Sequence, residues 1–376
     1  MKNPILHVSI MQKVQTLNDP KYKMNWIILV ILLLTSTLAW QCSKQNGTGE
    51  SQSFKQSLNA STQSLNTAAA EISKTYGYKV LNLSDGSNLK SALATDASFQ
   101  DSITLAKIKG MYEYQPKSYT HWCYSCFDKL FKKTGDNNDL IVKLPEAKVL
   151  FPRRFQSVAQ SDTSLKNNLV IDASDYHYYF SMGYLWDYKL AASITINDTA
   201  LGSINVQSAR SSGSGYSYSS GYNFPNGYNV AVNVKSGDTA SSSIALLNNT
   251  STLFKETVNR YKVSGSKYRE REYILDVGNV EFKRAAGADS ITVYVGGVLQ
   301  TKAKVEVIDA PVSSGSVFAG RDLKVNFDDG TSTNLSTLLG PSFGILSTLM
   351  VNLQNVYFAT NIVDYIAFNI FRNQTH

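Results

Sequence analysis

Residues 175–189 read Asp175-Tyr176-His177-Tyr178-Tyr179-Phe180-Ser181-Met182-Gly183-Tyr184-Leu185-Trp186-Asp187-Tyr188-Lys189, and this stretch decides the fold class. Tyr176, Tyr178, Phe180, Met182, Tyr184, Trp186 and Tyr188 all fall on one parity. His177, Ser181, Gly183, Asp187 and Lys189 fall on the other. A strand points successive side chains to opposite faces, so a period of two over this length predicts a strand, or a bent pair of strands, with one face buried. Leu190, Ala192, Ile194 and Ile196 continue the pattern.

The same signal recurs outward from this centre. Ile103 to Tyr112 reads as one strand, and Leu140 to Leu144 as another that is halted by Pro145. Tyr228, Val230, Val232 and Val234 repeat the alternation and stop at Ser236-Gly237-Asp238. Ile291, Val293 and Val295 run into Gly296-Gly297, a two-residue hairpin signal, with Val305 and Val307 as the expected return. Leu323 to Phe327 meets Asp328-Asp329-Gly330, a second turn. Ser211 to Tyr222 is rich in Gly and Ser and reads as a loop or hairpin tip, with tyrosines that could stack on a flat ligand.

Both ends change period. Phe54, Leu58, Leu65, Ala68, Ala69 and Ile72 recur at helical spacing, which predicts a helix over about 54–75, ending near Gly77. Ile345, Leu346, Leu349, Leu353, Val356, Ile362, Ile366 and Ile370 predict one long or two short apolar helices over about 343–371. Asn352, Asn355, Asn361 and Asp364 interrupt that apolar surface, so the segment is expected to pack on the sheet rather than span a bilayer. The expected fold is mainly β (α+β): an antiparallel sandwich or half-open barrel, with an N-terminal helix and apolar C-terminal helices packed on it. Residues 54–376 are expected to form one large β-rich body, with 150–170 as a candidate division into sub-domains.

An address precedes this body. Lys21 and Lys23 stand before an apolar run, Trp26–Leu34, of nine residues, and Cys42 follows. A bilayer-spanning helix needs about 20 apolar residues, whereas a secretory core needs roughly 7–15 after a positive flank. The segment therefore reads as a targeting signal, over 1–41. Residues 1–23 look like an over-called start, with Met24 or a nearby Met as initiator. Residues 43–53 are polar with Gly47 and Gly49 and read as a flexible tether.

The layout resembles bacterial lipoprotein signals, with Leu38 and Ala39 as the upstream apolar and small positions. That resemblance implies cleavage before Cys42, acylation of its thiol (palmitate among the chains attached) and a lipid anchor in the cell envelope. Ser43 after the cysteine is compatible with outer-membrane sorting. The body of the chain carries no family motif. Its expected architecture, helices covering one face of a half-open β clam, is similar to that of bacterial envelope lipid carriers.

Charge and cysteine usage bound the function. The chain carries +7 overall, and Lys2, Lys13, Lys21 and Lys23 against Asp19 lie in the signal, which leaves about +4 on the mature protein. A value this mild, without a clustered basic face, gives no case for nucleic acid. Cys123-Tyr124-Ser125-Cys126 is expected to form a local disulfide in an exported protein. A thioredoxin-type motif would place the pair at a helix start in a βαβ frame, a haem site would need His where Phe127 stands, and His121 alone makes no zinc set.

No catalytic residue, cofactor or metal site is expected. Gly340-Pro341-Ser342-Phe343-Gly344 matches the GxSxG string of serine hydrolases, but only Asp364 and His376 could follow as acid and base, and the parallel α/β frame is missing. Asp172, Asp175, Asp187, Glu270, Glu272, Asp276 and Glu281 lie in the β region, where glycosidase chemistry would need two of them across a cleft. Asp328-Asp329-Gly330 lacks the further acids of a calcium loop.

The leading expectation is a membrane-anchored envelope lipoprotein with a non-enzymatic binding or structural role. Tyr178, Tyr184, Trp186 and Tyr188 are its candidate ligand-facing aromatics, for a lipid or glycan. An ordinary packed aromatic core is the competing reading of the same residues. A polysaccharide-binding or polysaccharide-processing surface protein is the alternative function, and an assembly or adhesion subunit a third.

Overall fold

The computed structural model describes residues 53–78, 102–115, 131–146, 166–181, 185–211, 215–237, 239–262, 269–309 and 321–374. The signal segment, Cys42, Cys123, Cys126, Tyr184 and His376 lie outside these residues, as does most of 150–170. The described residues are mainly β, with 57% strand and 24% helix, and antiparallel pairing dominates. Its contacts gather into two compact units: a middle unit of 74–227 with 351–376, and an outer unit of 1–73 with 228–350.

The middle unit holds β1 (Ile103–Thr104), β2 (Gly110–Tyr114), β3 (Phe131–Gly135), β4 (Leu140–Leu144), β5 (Leu169–Ser181), β6 (Leu185–Ile196), β7 (Thr199–Ser211) and β8 (Gly215–Asn223). They pair in the order β3-β2-β4-β5-β6-β7-β8, with β1 on β5. Among the described strands only β2 and β4 pair in parallel. The strand expected over 103–112 is split. A helical turn, α2 (Leu105–Ile108), intervenes between β1 and β2, and Gly110 follows it at φ 136.

The period-two centre forms a pair of strands, β5 and β6. Tyr178 stands opposite Tyr188, and Phe180 opposite Trp186. A bulge between Ala173 and Asp175 switches the buried parity from Leu169, Ile171 and Ala173 to Tyr176. A bulge inserts one residue and so moves every later side chain to the opposite face. Asn197 and Asp198, both at positive φ, close the two-residue turn between Ile196 and Thr199. Asn and Asp are the L residues that tolerate this conformation best.

The Gly/Ser/Tyr segment corrects the sequence expectation. Only 212–214 separate β7 from β8, and Gly215–Asn223 is a strand paired along β7. Tyr216, Tyr218 and Tyr222 share a parity, and that period outweighs the turn composition of the residues between them.

The outer unit holds α1 (Phe54–Lys74), β9 (Tyr228–Lys235), β10 (Thr239–Asn248), β11 (Ser251–Lys262), β12 (Arg269–Val277), β13 (Val280–Arg284), β14 (Thr292–Val295) and β15 (Val298–Leu299), paired in that strand order. A small sheet of β16 (Lys304–Asp309), β17 (Arg321–Asn326) and β18 (Ser332–Asn334) accompanies it. Gly296 and Gly297, at φ 55 and 82, make the expected two-residue turn. The immediate return strand of the turn is Val298–Leu299. Val305 and Val307 pair with β17, and Val305 also bridges Ile291 antiparallel, so the expected return is met at that one residue. Two residues cannot span from Val295 to Val305, so register selects the nearer partner.

Helix α1 buries Phe54, Leu58, Leu65, Ala68, Ala69 and Ile72, the face its spacing predicts. Phe54 meets Phe327 at 5.2 Å and Phe282 at 6.2 Å between ring centroids. Ser61 donates its hydroxyl to Asn279, and Tyr228 donates its own to Glu71 at 2.5 Å. The C-terminal helix α3, Leu335–Gln374, starts before residue 343 and kinks at Gly340. Leu335, Leu339, Leu346 and Leu349 are buried in the outer unit, and Ile362, Val363, Ile366, Ala367 and Ile370 in the middle unit. No helix among the described residues is long and apolar enough to cross a membrane.

Candidate ligand-binding site

The site is built on the helix-facing side of β5 to β8. Register sets its rows. Tyr178, Tyr188, Ser208 and Tyr218 form one row across four strands, and Phe180, Trp186, Arg210 and Tyr216 form the next. Behind them lie Tyr176, Leu190 and Val206, and further back Ile194 and Ile204, all buried. Burial falls toward the hairpin tips: Tyr178, Phe180, Trp186, Arg210, Tyr216 and Tyr218 are half-exposed. A buried floor of Tyr176 and aliphatic side chains therefore grades into a half-exposed aromatic rim that carries one arginine.

The carboxyl of Asp364, on α3, sits over this floor. Tyr176 and Tyr188 donate their hydroxyls to the same oxygen, Oδ1, at 3.0 and 3.1 Å. Burial pushes Asp364 up to about 7, while the two phenols pull it down. Burial together with Asp364 holds both phenols well above their ordinary value. Tyr178 packs edge-on to Phe368 at 4.9 Å and to Tyr188 at 6.4 Å, and burial pushes its hydroxyl up to about 12. Trp186 meets Tyr216 at 6.3 Å.

Of the four aromatics expected from sequence, Tyr178, Trp186 and Tyr188 are brought together. Tyr188 is 8% exposed and ties the sheet to the helix, whereas Trp186 lies in the half-exposed rim row. Sequence reasoning missed Arg210, Asp364 and Phe368, and it placed Tyr216 and Tyr218, the tyrosines suited to stacking, on a loop rather than a strand. The tyrosines were legible as a parity once β8 was read as a strand. Asp364 appeared as an interruption of an apolar helix and as the acid that could follow the GxSxG string, not as a partner of the tyrosines.

The other candidates fall elsewhere. Asp276 stands opposite Glu281 across the β12–β13 hairpin, on the sheet face away from Phe282. Burial and the nearby Glu281 push Asp276 up to about 7. The two acids are neighbours on one sheet surface, not opposed across a cleft. Ser342 is buried in the outer unit and donates its hydroxyl to Asn66. Asp329 pairs with Lys55 at 2.8 Å in the β17–β18 turn, which holds its carboxyl well below the usual range. No group of three or more His, Cys, Asp or Glu among the described residues could hold a metal ion.

No family model matches the chain, and no curated protein or solved structure matches it either.

Proposed function

We propose that this chain is a lipoprotein of the cell envelope, most directly of the outer membrane, anchored through an acylated Cys42. Its β body binds an apolar molecule without transforming it. The observation that carries the binding reading is the burial gradient of the middle unit. Phe180, Trp186 and Tyr216 stay half-exposed at the end of a sheet face whose inner part, Tyr176, Tyr188, Leu190, Val206, Ile194 and Ile204, is buried. Leaving several large aromatic side chains partly in water forgoes about 25 cal/mol for each Å² of apolar surface, and a hydrocarbon chain laid along the row would recover it. The anchoring reading rests on the order of Lys21, Lys23, the apolar run and Cys42.

The test is a titration of the full chain, in uncharged detergent, with a fluorescent fatty acid. Saturable binding, weakened several-fold by Phe180→Ala or Tyr216→Ser, supports the reading. Absence of saturable binding, or equal affinity in both variants, counts against it.

A further inference from the structure

A second site lies in the outer unit, and its chemistry differs from that of the aromatic rim. A pocket of about 310 Å³ is lined by Arg271, Tyr273, Arg284, Gly287, Ala288 and Asp289. Arg271 and Tyr273 come from β12, Arg284 closes β13, and the other three residues belong to the turn before β14. Register explains the gathering. Tyr273 is opposite Arg284, and Arg271 is opposite Arg260 on β11, so three arginines share one sheet face.

Neither Arg271 nor Arg284 has a close acidic partner among the described residues. Asp289 Oδ1 is 3.7 Å from Arg284 Nη2, and its side chain is fully exposed, so the pair is long and screened by water. Arg271 makes no ion pair with a described residue. Arg284 is nevertheless held in place, because its Nε donates to the Ala288 carbonyl at 2.8 Å. That leaves the terminal nitrogens of a fixed guanidinium for the pocket. Tyr273 is 7% exposed, and its hydroxyl makes no hydrogen bond among the described residues. Two planar donor forks and a phenol O–H thus meet at one cavity.

This donor set suits a tetrahedral oxyanion. A guanidinium pairs two N–H groups with two oxygens of one anion, and a phosphate presents further oxygens to a second fork and to a hydroxyl. A carboxylate has only two oxygens to share. We propose that the Arg271–Tyr273–Arg284 pocket binds a phosphate group, either free or as the phosphodiester headgroup of a lipid. The site is separate from the aromatic rim and stands or falls independently of it.

Titration calorimetry on the full chain in uncharged detergent tests this, with inorganic phosphate in one arm and short-chain phosphatidylglycerol below its micelle concentration in the other. Saturable heat is expected in at least one arm. Phosphate alone would assign the free anion, and lipid alone or more tightly would assign the headgroup. Arg271→Gln, at an exposed position, should lower the affinity at least tenfold, and Tyr273→Phe several-fold. Lys235→Gln, on the exposed end of β9, should leave it unchanged. Binding should also weaken as salt rises. No heat in either arm, or affinity undiminished in Arg271→Gln with the fold intact by circular dichroism, would overturn the proposal.

Discussion

Tyr188 and Asp364 are joined by a 3.1 Å hydrogen bond that links the middle of a β-strand to a helix 176 residues further along the chain. The bond places a carboxyl over an aromatic and aliphatic floor, where it titrates at about 7. Its proton, the helix and the sheet face are therefore coupled.

The first prediction is a pH dependence of stability. An unfolded aspartate titrates near 4. Between that value and about 7 the folded state binds the proton more tightly, so the contribution is fully present below the unfolded value and is lost as pH rises through the folded one. The thermal midpoint should fall between pH 5 and pH 8. Asp364→Asn should recover roughly 1–3 kcal/mol at pH 8 and flatten the slope. A variant whose pH profile overlays the parent would contradict this assignment.

A second carboxyl is set against its surroundings more sharply. Val232, Ile244, Glu256, Leu275, Phe282 and Val293 form one row across six strands, on the face that Phe54 of α1 covers. Glu256 is 1% exposed, its Oε1 has no hydrogen-bond partner, and burial holds it well above the usual carboxylate range. Glu256→Met keeps the length and removes the polar atoms. Urea unfolding at pH 8 should show a gain of roughly 1–3 kcal/mol. A loss would mean that the carboxyl has a favourable role the row does not reveal.

Gly278 tests the seat of α1. It has φ 60, and a Cβ there would lie 2.4 Å from Ser61 Oγ and 2.8 Å from Ser61 Cβ. Gly278→Ala therefore meets both a strained backbone and the helix. Its cost should exceed ~1 kcal/mol in the same unfolding assay. A neutral variant would show that the helix yields at this point.

The anchor is tested at Cys42. Cys42→Ala should stop acylation, leaving either an unprocessed precursor or a protein released from the membrane fraction. Metabolic labelling with a radioactive fatty acid and fractionation read this directly. Unchanged labelling and unchanged membrane attachment would remove the lipoprotein reading.

Much of the fold was legible because alternation is a local signal. The parity of Tyr176 to Tyr188, the spacing in Phe54 to Ile72 and the Gly296-Gly297 turn each depend on neighbouring residues. The errors came where two local signals competed or where a distant one decided. In Gly215–Asn223 the glycines and serines argued for a loop against the period of the tyrosines, and pairing with β7 resolved it. At Gly110 a conformation that only the structure shows divided one expected strand into two. The division of the chain into units was not legible either, since α1 belongs with strands that begin more than 150 residues later. Part of the rim was legible through Tyr178 and Trp186, and the buried Tyr188 beside them was legible by the same parity. Arg210 and Asp364 were not, because only the β6–β7 register and the helix packing bring them to that face. The arginine pocket was invisible for the same reason: Arg271 and Arg284 meet only across a hairpin, and the run Lys267 to Glu272 read as a solvated charged face.

The most direct test of the account is native mass spectrometry of the full chain, extracted gently from its host envelope in uncharged detergent. The account predicts a co-purified mass that partitions into organic solvent as a lipid and is lost in Trp186→Ala. A clean ligand-free mass under the same extraction would contradict it and make the aromatic rim part of an ordinary core.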